Sequence, residues 1–201
     1  KLITKFPTKQ SFEKDQALFE EGVFFSKLPN ELSCNNVVTF DTVNSSNSQR
    51  YLNDLKPDLG IVFGTGKIDN NIIRIFKHGL INVHRGMIEK YRGLDSDLWA
   101  IYHDDYENIG VTIHMVDEGL DTGDIIYQET LTLHQELKTY KIRCYTTMIA
   151  TNLVIKAINQ YLSNNLITIK QEKIGRYYSY MPSIMKDLVN LKFNKFCERL
   201  S

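Results

Sequence analysis

An amide, an imidazole and a carboxylate fall in two short segments of the chain. Asn82 and His84 close the apolar run Gly79-Leu-Ile-Asn-Val-His84, and Asp121 sits within Gly119-Leu-Asp-Thr-Gly-Asp124. Residues two apart in an extended strand project from the same face, so Asn82 and His84 stand together at the strand's C-terminal end. Open α/β sheets place their ligands at that edge. Gly119 and Gly123 free the backbone on either side of Asp121 for a tight loop beside a ligand. An amide donor, an imidazole that titrates near working pH and a carboxylate suit carbonyl chemistry, with oxyanion stabilisation and proton transfer. The competing reading is a capped strand and a turn held by its aspartate.

The surrounding blocks make the pattern specific. From Pro57 the chain reads PDLGIVFGTGKI, then GLINVHRGMIEKYRGLDSDLWAIYHDD, then IGVTIHMVDEGLDTGDIIYQ. Over residues 57 to 130 this order and spacing resembles the catalytic domain of the folate-dependent formyltransferases, which move a formyl group from N10-formyltetrahydrofolate to an amine. The resemblance implies a Rossmann-like α/β fold, N10-formyltetrahydrofolate as donor, and Asn82, His84 and Asp121 as the catalytic trio. It also implies a pterin pocket at Phe63, Gly64, Leu120 and Asp124, where mostly backbone groups meet the folate. Arg85, Tyr91 and Arg92 fall on its substrate side, with Arg92 able to grip a phosphate in bidentate fashion. Many members continue the histidine with Ser-Leu-Leu-Pro, whereas this chain has Arg85-Gly-Met-Ile-Glu89, so the substrate-side loop departs from the pattern. Read without the resemblance, Gly64-Thr-Gly66 is a strand-to-helix turn and Arg92 a surface arginine. As a phosphate loop it lacks the long glycine-rich pattern.

The elements that must position these residues follow from patterning. Val37-Phe40 reads as a strand, Ser48-Leu55 as a helix, Leu59-Phe63 as a buried strand and Asn70-Lys77 as a short helix. Leu80-His84 is the next strand, and Leu98-His103 ends a helix that Asp95-Ser96 caps. Gly110-Val116 and Ile125-Leu133 have the β-branched content of strands. Ile142, Tyr145, Ile149, Leu153 and Ala157 share one helical face over Thr139-Leu162. Pro182 opens a last helix with Ile184, Leu188 and Leu191 behind it. Alternating strands and helices predict a mainly parallel sheet covered by helices, with residues 1–165 as the catalytic domain and 166–201 as a short appendage. Residues 1–36 hold a single glycine and no clear opening strand, so the first strand–helix unit is expected to be altered, missing or formed by upstream residues.

Lys+Arg and Asp+Glu both number 24 among 201 residues, which gives no global attraction to nucleic acid or membrane. Cys34, Cys144 and Cys197 are odd in number and far apart, which reads as reduced thiols and a cytoplasmic setting. No apolar run has the length of a membrane span or of a signal peptide's core. Trp99 reads as core, His103-Asp-Asp105 as a solvated charged turn, and His114 as a strand histidine that either faces the site or is structural. His78 and His134 lack ligand spacing, and no metal is expected.

Among amine acceptors, methionyl-tRNA formyltransferases carry a further β-rich domain and a basic face. Glycinamide ribonucleotide formyltransferases carry an early Gly-Ser-rich phosphate loop. Neither pattern is visible here, which favours an amino sugar linked to a nucleotide. Hydrolysis of formyltetrahydrofolate and a non-catalytic folate-binding module stay open. The aromatic and apolar residues of the final segment predict a homodimer.

Overall fold

The computed structural model describes residues 11–26 and 36–200. Helix α1 (Ser11–Glu20) runs into a π-type turn at Glu21–Phe25, and α2 spans Ser46–Leu55. Then come β1 (Gly60–Phe63), α3 (Asn70–Ile73), β2 (Leu80–His84), β3 (Tyr91–Gly93) and α4 (Ser96–Tyr102). The chain continues through β4 (Gly110–Met115), β5 (Ile125–Thr130), α5 (Thr139–Leu162), β6 (Arg176–Tyr178) and α6 (Ser183–Cys197).

Four strands form one sheet in the order β1-β2-β4-β5, and β3 and β6 form a separate two-stranded parallel ribbon. Strands β1 and β2, separated by α3, pair in parallel. Strand β4 runs against β2, and β5 returns against β4 through the loop that holds Asp121. The two faces follow from the period-two pattern. Ile81, Val83, Val111, Ile113 and Ile126 pack on Ala150, Leu153 and Ala157 of α5. On the other face Leu80 packs with Ile68 and Ile72, backed by Leu52 of α2. Asn82 and His84 share the parity of Leu80, and Thr112 and His114 that of the residues facing away from Val111. Polar side chains from two neighbouring strands therefore collect on the face that α5 leaves free.

Some local expectations change in three dimensions. Residues 36–40 form no strand, and Val37 and Val38 are exposed. Helix α3 stops at Ile73, where short turn bonds such as Ile75 N–H to the Ile72 carbonyl take over. Strand β5 ends at Thr130. Asp95 precedes α4 in the left-handed region, but its carboxylate accepts from the Met181 N–H instead of capping its own helix. In α6 the buried face is Val189, Phe193 and Cys197, while Ile184, Leu188 and Leu191 are exposed. Met181 and that buried face join Tyr91, Leu98, Ile101 and Ile142 in the largest core cluster, so the segment beyond 166 shares the core of the rest. Cys144 and Cys197 are buried free thiols, and Cys34 lies outside the described residues. So do residues 1–10 and 27–35, on which the expectation about the first strand–helix unit falls.

Candidate active site

The antiparallel register sets Asn82 opposite His114 and His84 opposite Thr112. The β4–β5 loop then delivers Asp121 between them. Asp121 takes the left-handed conformation with φ of 52°, which aspartate tolerates better than most residues. Gly123 lies so close to the Met115 carbonyl that an added Cβ would collide with it, so the loop's return to β5 needs glycine. Gly86 does the same beside His84: a Cβ there would stand 2.8 Å from the imidazole Nε2.

Four polar side chains now meet. The Asn82 amide nitrogen lies 3.2 Å from Asp121 Oδ1 and 3.0 Å from His114 Nε2. His114 Nδ1 sits 2.7 Å from the Met115 carbonyl and donates to it, which leaves Nε2 to face the Asn82 amide as its acceptor. Both amide hydrogens of Asn82 are thus engaged. A carbonyl oxygen takes one of them only by displacing His114 or Asp121. His84, 5% exposed, donates Nε2–H to the Tyr91 carbonyl at 2.8 Å. Its Nδ1 faces Asp121 Oδ2 at 3.5 Å, and Oδ2 also accepts from the Gly93 N–H at 2.8 Å.

The charges follow from these contacts. Burial pulls the His84 imidazole below its ordinary 6.5, against the opposing pull of Asp121 and the Tyr91 carbonyl. Burial alone would raise the Asp121 carboxyl, but His114, the charge of His84 and the Gly93 N–H outweigh it and bring it to about 2. At neutral pH a neutral Nδ1 and an ionised carboxylate point at one spot. Two acceptors facing each other attract a donor, and an amine nitrogen supplies N–H groups to both. The cluster can take a proton on His84 while Asp121 stabilises the imidazolium that forms.

A cavity of about 580 Å³ is lined by Asn82, His84 and Asp121 together with Phe63, Gly64, Arg85, Leu120, Tyr177 and Tyr180. A crevice of about 40 Å³ beside it is walled by Val62, Thr65, Ile68, Val116, Asn82 and Asp121. Phe63, Gly64 and Leu120 therefore stand where a planar ring could enter. Asp124 lines neither space: its backbone carbonyl accepts from the Met115 N–H, and its carboxylate lies 3.5 Å from the Thr168 hydroxyl. Arg85 lies over the Phe63 ring at 5.1 Å and lines the cavity.

The other two residues expected on the substrate side are used differently. The Tyr91 ring is buried and its hydroxyl donates to Asp105, which pushes the phenol well above its usual range. Tyr91 serves the site through its carbonyl, on His84. Arg92 donates through Nε to the Gly175 carbonyl at 2.6 Å and through Nη1 to the Leu120 carbonyl at 2.7 Å. Two of its five N–H groups are used on backbone carbonyls, and Arg92 lines neither space. His103, Asp104 and Asp105 tie to Tyr178, to Tyr106 and Lys192, and to Tyr91 and Asn108. No group of metal-binding side chains occurs among the described residues. Sequence reasoning left His114 undecided and placed Gly93 in the loop after His84 without giving it a role at the carboxylate. Alternation within Gly110–Met115 placed His114 on the polar face, whereas Gly93 acts through its backbone N–H, a role that residue type does not mark.

A family model described as formyl transferase matches residues 9–158. The chain is 30% identical to the methionyl-tRNA formyltransferase of Thermodesulfovibrio yellowstonii over 161 residues, which are 80% of this chain and 51% of that protein. The corresponding protein of Clostridium beijerinckii is 29% identical over 74% of this chain and 47% of its own length. The chain spans about half the length of these curated relatives. Among solved structures, a likely sugar N-formyltransferase from Mycobacterium tuberculosis matches with a TM-score of 0.62 and 17% identity, over 91% of this chain and 83% of that one. The formyltransferase PseJ from Anoxybacillus kamchatkensis, solved with a UDP-linked formamido sugar and tetrahydrofolate, matches with a TM-score of 0.57 and 23% identity, over 93% and 95%. These likenesses give the fold, no helix among the described residues is long and apolar enough to cross a membrane, and the family match takes in most of the chain. By its sequence blocks, its fold and that match, the chain belongs to the formyl transferase family.

Proposed function

We propose that the protein transfers a formyl group from N10-formyltetrahydrofolate to a primary amine, and that the amine belongs to a nucleotide-linked amino sugar. The observation that carries this reading is the convergence of Asn82, neutral His84 and ionised Asp121 on one wall of the 580 Å³ cavity. The amine nitrogen attacks the formyl carbon, and the carbonyl oxygen becomes an oxyanion that takes an Asn82 N–H. His84 Nδ1 removes the proton of the attacking nitrogen, with Asp121 holding the imidazolium. The carbon–N10 bond then breaks, and that proton passes to N10, leaving a formamide and tetrahydrofolate. Phe63, Gly64 and Leu120 with the adjoining crevice are the proposed folate side. Arg85 is the proposed contact for acceptor phosphates, since its guanidinium lines the cavity.

A cavity of about 580 Å³ and a net charge of zero favour a small-molecule acceptor, and the solved relatives named above include a sugar-nucleotide enzyme. The curated relatives act as methionyl-tRNA formyltransferases by name, which makes charged tRNA the second reading. Incubation with N10-formyltetrahydrofolate and a panel of amino-sugar nucleotides, glycinamide ribonucleotide and methionyl-tRNA separates them. Formamide on an amino-sugar nucleotide is expected. Preference for another acceptor overturns the substrate, release of formate without any amine makes the protein a hydrolase, and no turnover at all removes the enzymatic reading.

A further inference from the structure

The chain beyond residue 158 lies outside the family match, yet it grips the loop that carries Asp121. Ile169 and Ile125 exchange backbone hydrogen bonds of 2.7 and 2.8 Å at the end of that loop. Two residues further on, the Gln171 side-chain nitrogen donates to the Gly123 carbonyl at 2.8 Å and to the Asp121 carbonyl at 3.3 Å. Arg92 holds the Leu120 carbonyl, and its Nε anchors it to Gly175 in the same C-terminal segment. Carbonyls 120, 121 and 123 thus all accept from side chains outside the loop. The Gln171 oxygen is buried and has no partner among the described residues. Flipping the amide would turn that oxygen onto the loop carbonyls, so the observed orientation is the one that places the N–H groups on the loop. A left-handed Asp121 is a conformation that persists only where its surroundings impose it.

We infer that Gln171, with Arg92, is a positioning residue that fixes where the Asp121 carboxylate stands against His84 Nδ1, so that the C-terminal segment is part of the machinery of this site. This rests on the reading of Asp121 and His84 as the proton-handling pair. Tyr177 adds to the same device: its ring packs on Gly93, whose N–H holds Asp121 Oδ2. Displacements of about 1 Å at such a pair cost up to about 10²-fold in rate.

The test reads the geometry without relying on turnover. The His84 imidazole is titrated by NMR in the wild-type chain, in Gln171→Met and in Asp121→Asn. Asp121 raises the His84 titration, while burial, His114 and Arg85 lower it. Gln171→Met keeps the side chain's bulk but loses both donors. It is expected to move the His84 titration downward, in the direction seen with Asp121→Asn, and to lower kcat about 10- to 100-fold with the KM for the formyl donor within twofold. Should Gln171→Met fail to fold, Arg92→Lys, which cannot span both carbonyls, carries the same expectation. A His84 titration unmoved in the folded variant overturns the inference, whatever happens to the rate. A moved titration in a protein without formyl transfer upholds the positioning role and refutes the proposed function instead.

Discussion

Asp121→Asn isolates the charge on which the proton transfer depends. The asparagine oxygen can still accept from the Gly93 N–H, so the loop keeps its anchor. What disappears is a negative charge 3.5 Å from His84 Nδ1. At an effective dielectric of about 20, unit charges at that distance interact by about 5 kcal/mol, an upper bound for the lost stabilisation of the imidazolium. The Asp121 side chain is 12% exposed, so water screens part of this. A loss of about 3–4 kcal/mol remains, or about 10²- to 10³-fold in kcat at 1.36 kcal/mol per decade. The assay is single-turnover formyl transfer followed by mass spectrometry of the acceptor, with donor affinity measured separately by binding. A folded Asp121→Asn protein whose rate stays within threefold of wild type would refute the electrostatic reasoning.

Further outcomes follow from the same contacts. His84→Ala should lower turnover about 10²- to 10⁴-fold with donor binding retained, and Asn82→Ala should act in the same direction; steady-state kinetics beside a donor titration decides this. Because burial lowers the His84 pKa, the base stays in its active neutral form down past pH 6.5, so kcat should hold level to that pH and fall only below it; an acid limb above pH 7 that His84→Gln abolishes contradicts the assigned direction. Asp121 ionises at about 2 instead of the ordinary 3.8, so it stabilises the fold by about 2 kcal/mol above pH 3.8, a contribution lost as pH falls through 2; chemical denaturation at pH 6 and pH 2 should show that difference shrinking in Asp121→Asn. Arg85→Ala should raise the KM for the nucleotide-linked acceptor about tenfold or more and leave donor KM within twofold, which initial-rate measurements test. The exposed Ile184, Leu188 and Leu191 face of α6 should be buried in a homodimer, and light scattering that shows a monomer at high micromolar concentration argues against it.

The sequence made part of this site legible, for physical reasons that differ from residue to residue. Asn82 and His84 could be read because two-residue spacing in a strand fixes a shared face. Asp121 could be read because flanking glycines mark a tight loop. His114 shared that kind of signal, but its place opposite Asn82 depends on the antiparallel register of β2 and β4, which no local pattern states. The contacts of Arg92 could not be read because its partners at 120 and 175 are distant in sequence. The last helix was legible as a helix, yet its sequence offers both Ile184-Leu188-Leu191 and Val189-Phe193-Cys197 as apolar stripes. Packing against α4 decides for the second. Val37 and Val38 have strand propensity, but propensity alone does not decide pairing, and here both are exposed outside any strand.

The most direct test of the account gives the wild-type chain and His84→Ala N10-formyltetrahydrofolate labelled with carbon-13 in the formyl group, together with an amino-sugar nucleotide. Transfer of the labelled carbon into an acceptor formamide is then followed by mass spectrometry in a single turnover. The account predicts labelled formamide from the wild type and a rate at least 10²-fold lower from His84→Ala at equal donor occupancy. Labelled formamide formed equally fast by both proteins, or by neither with any amine supplied, would contradict it.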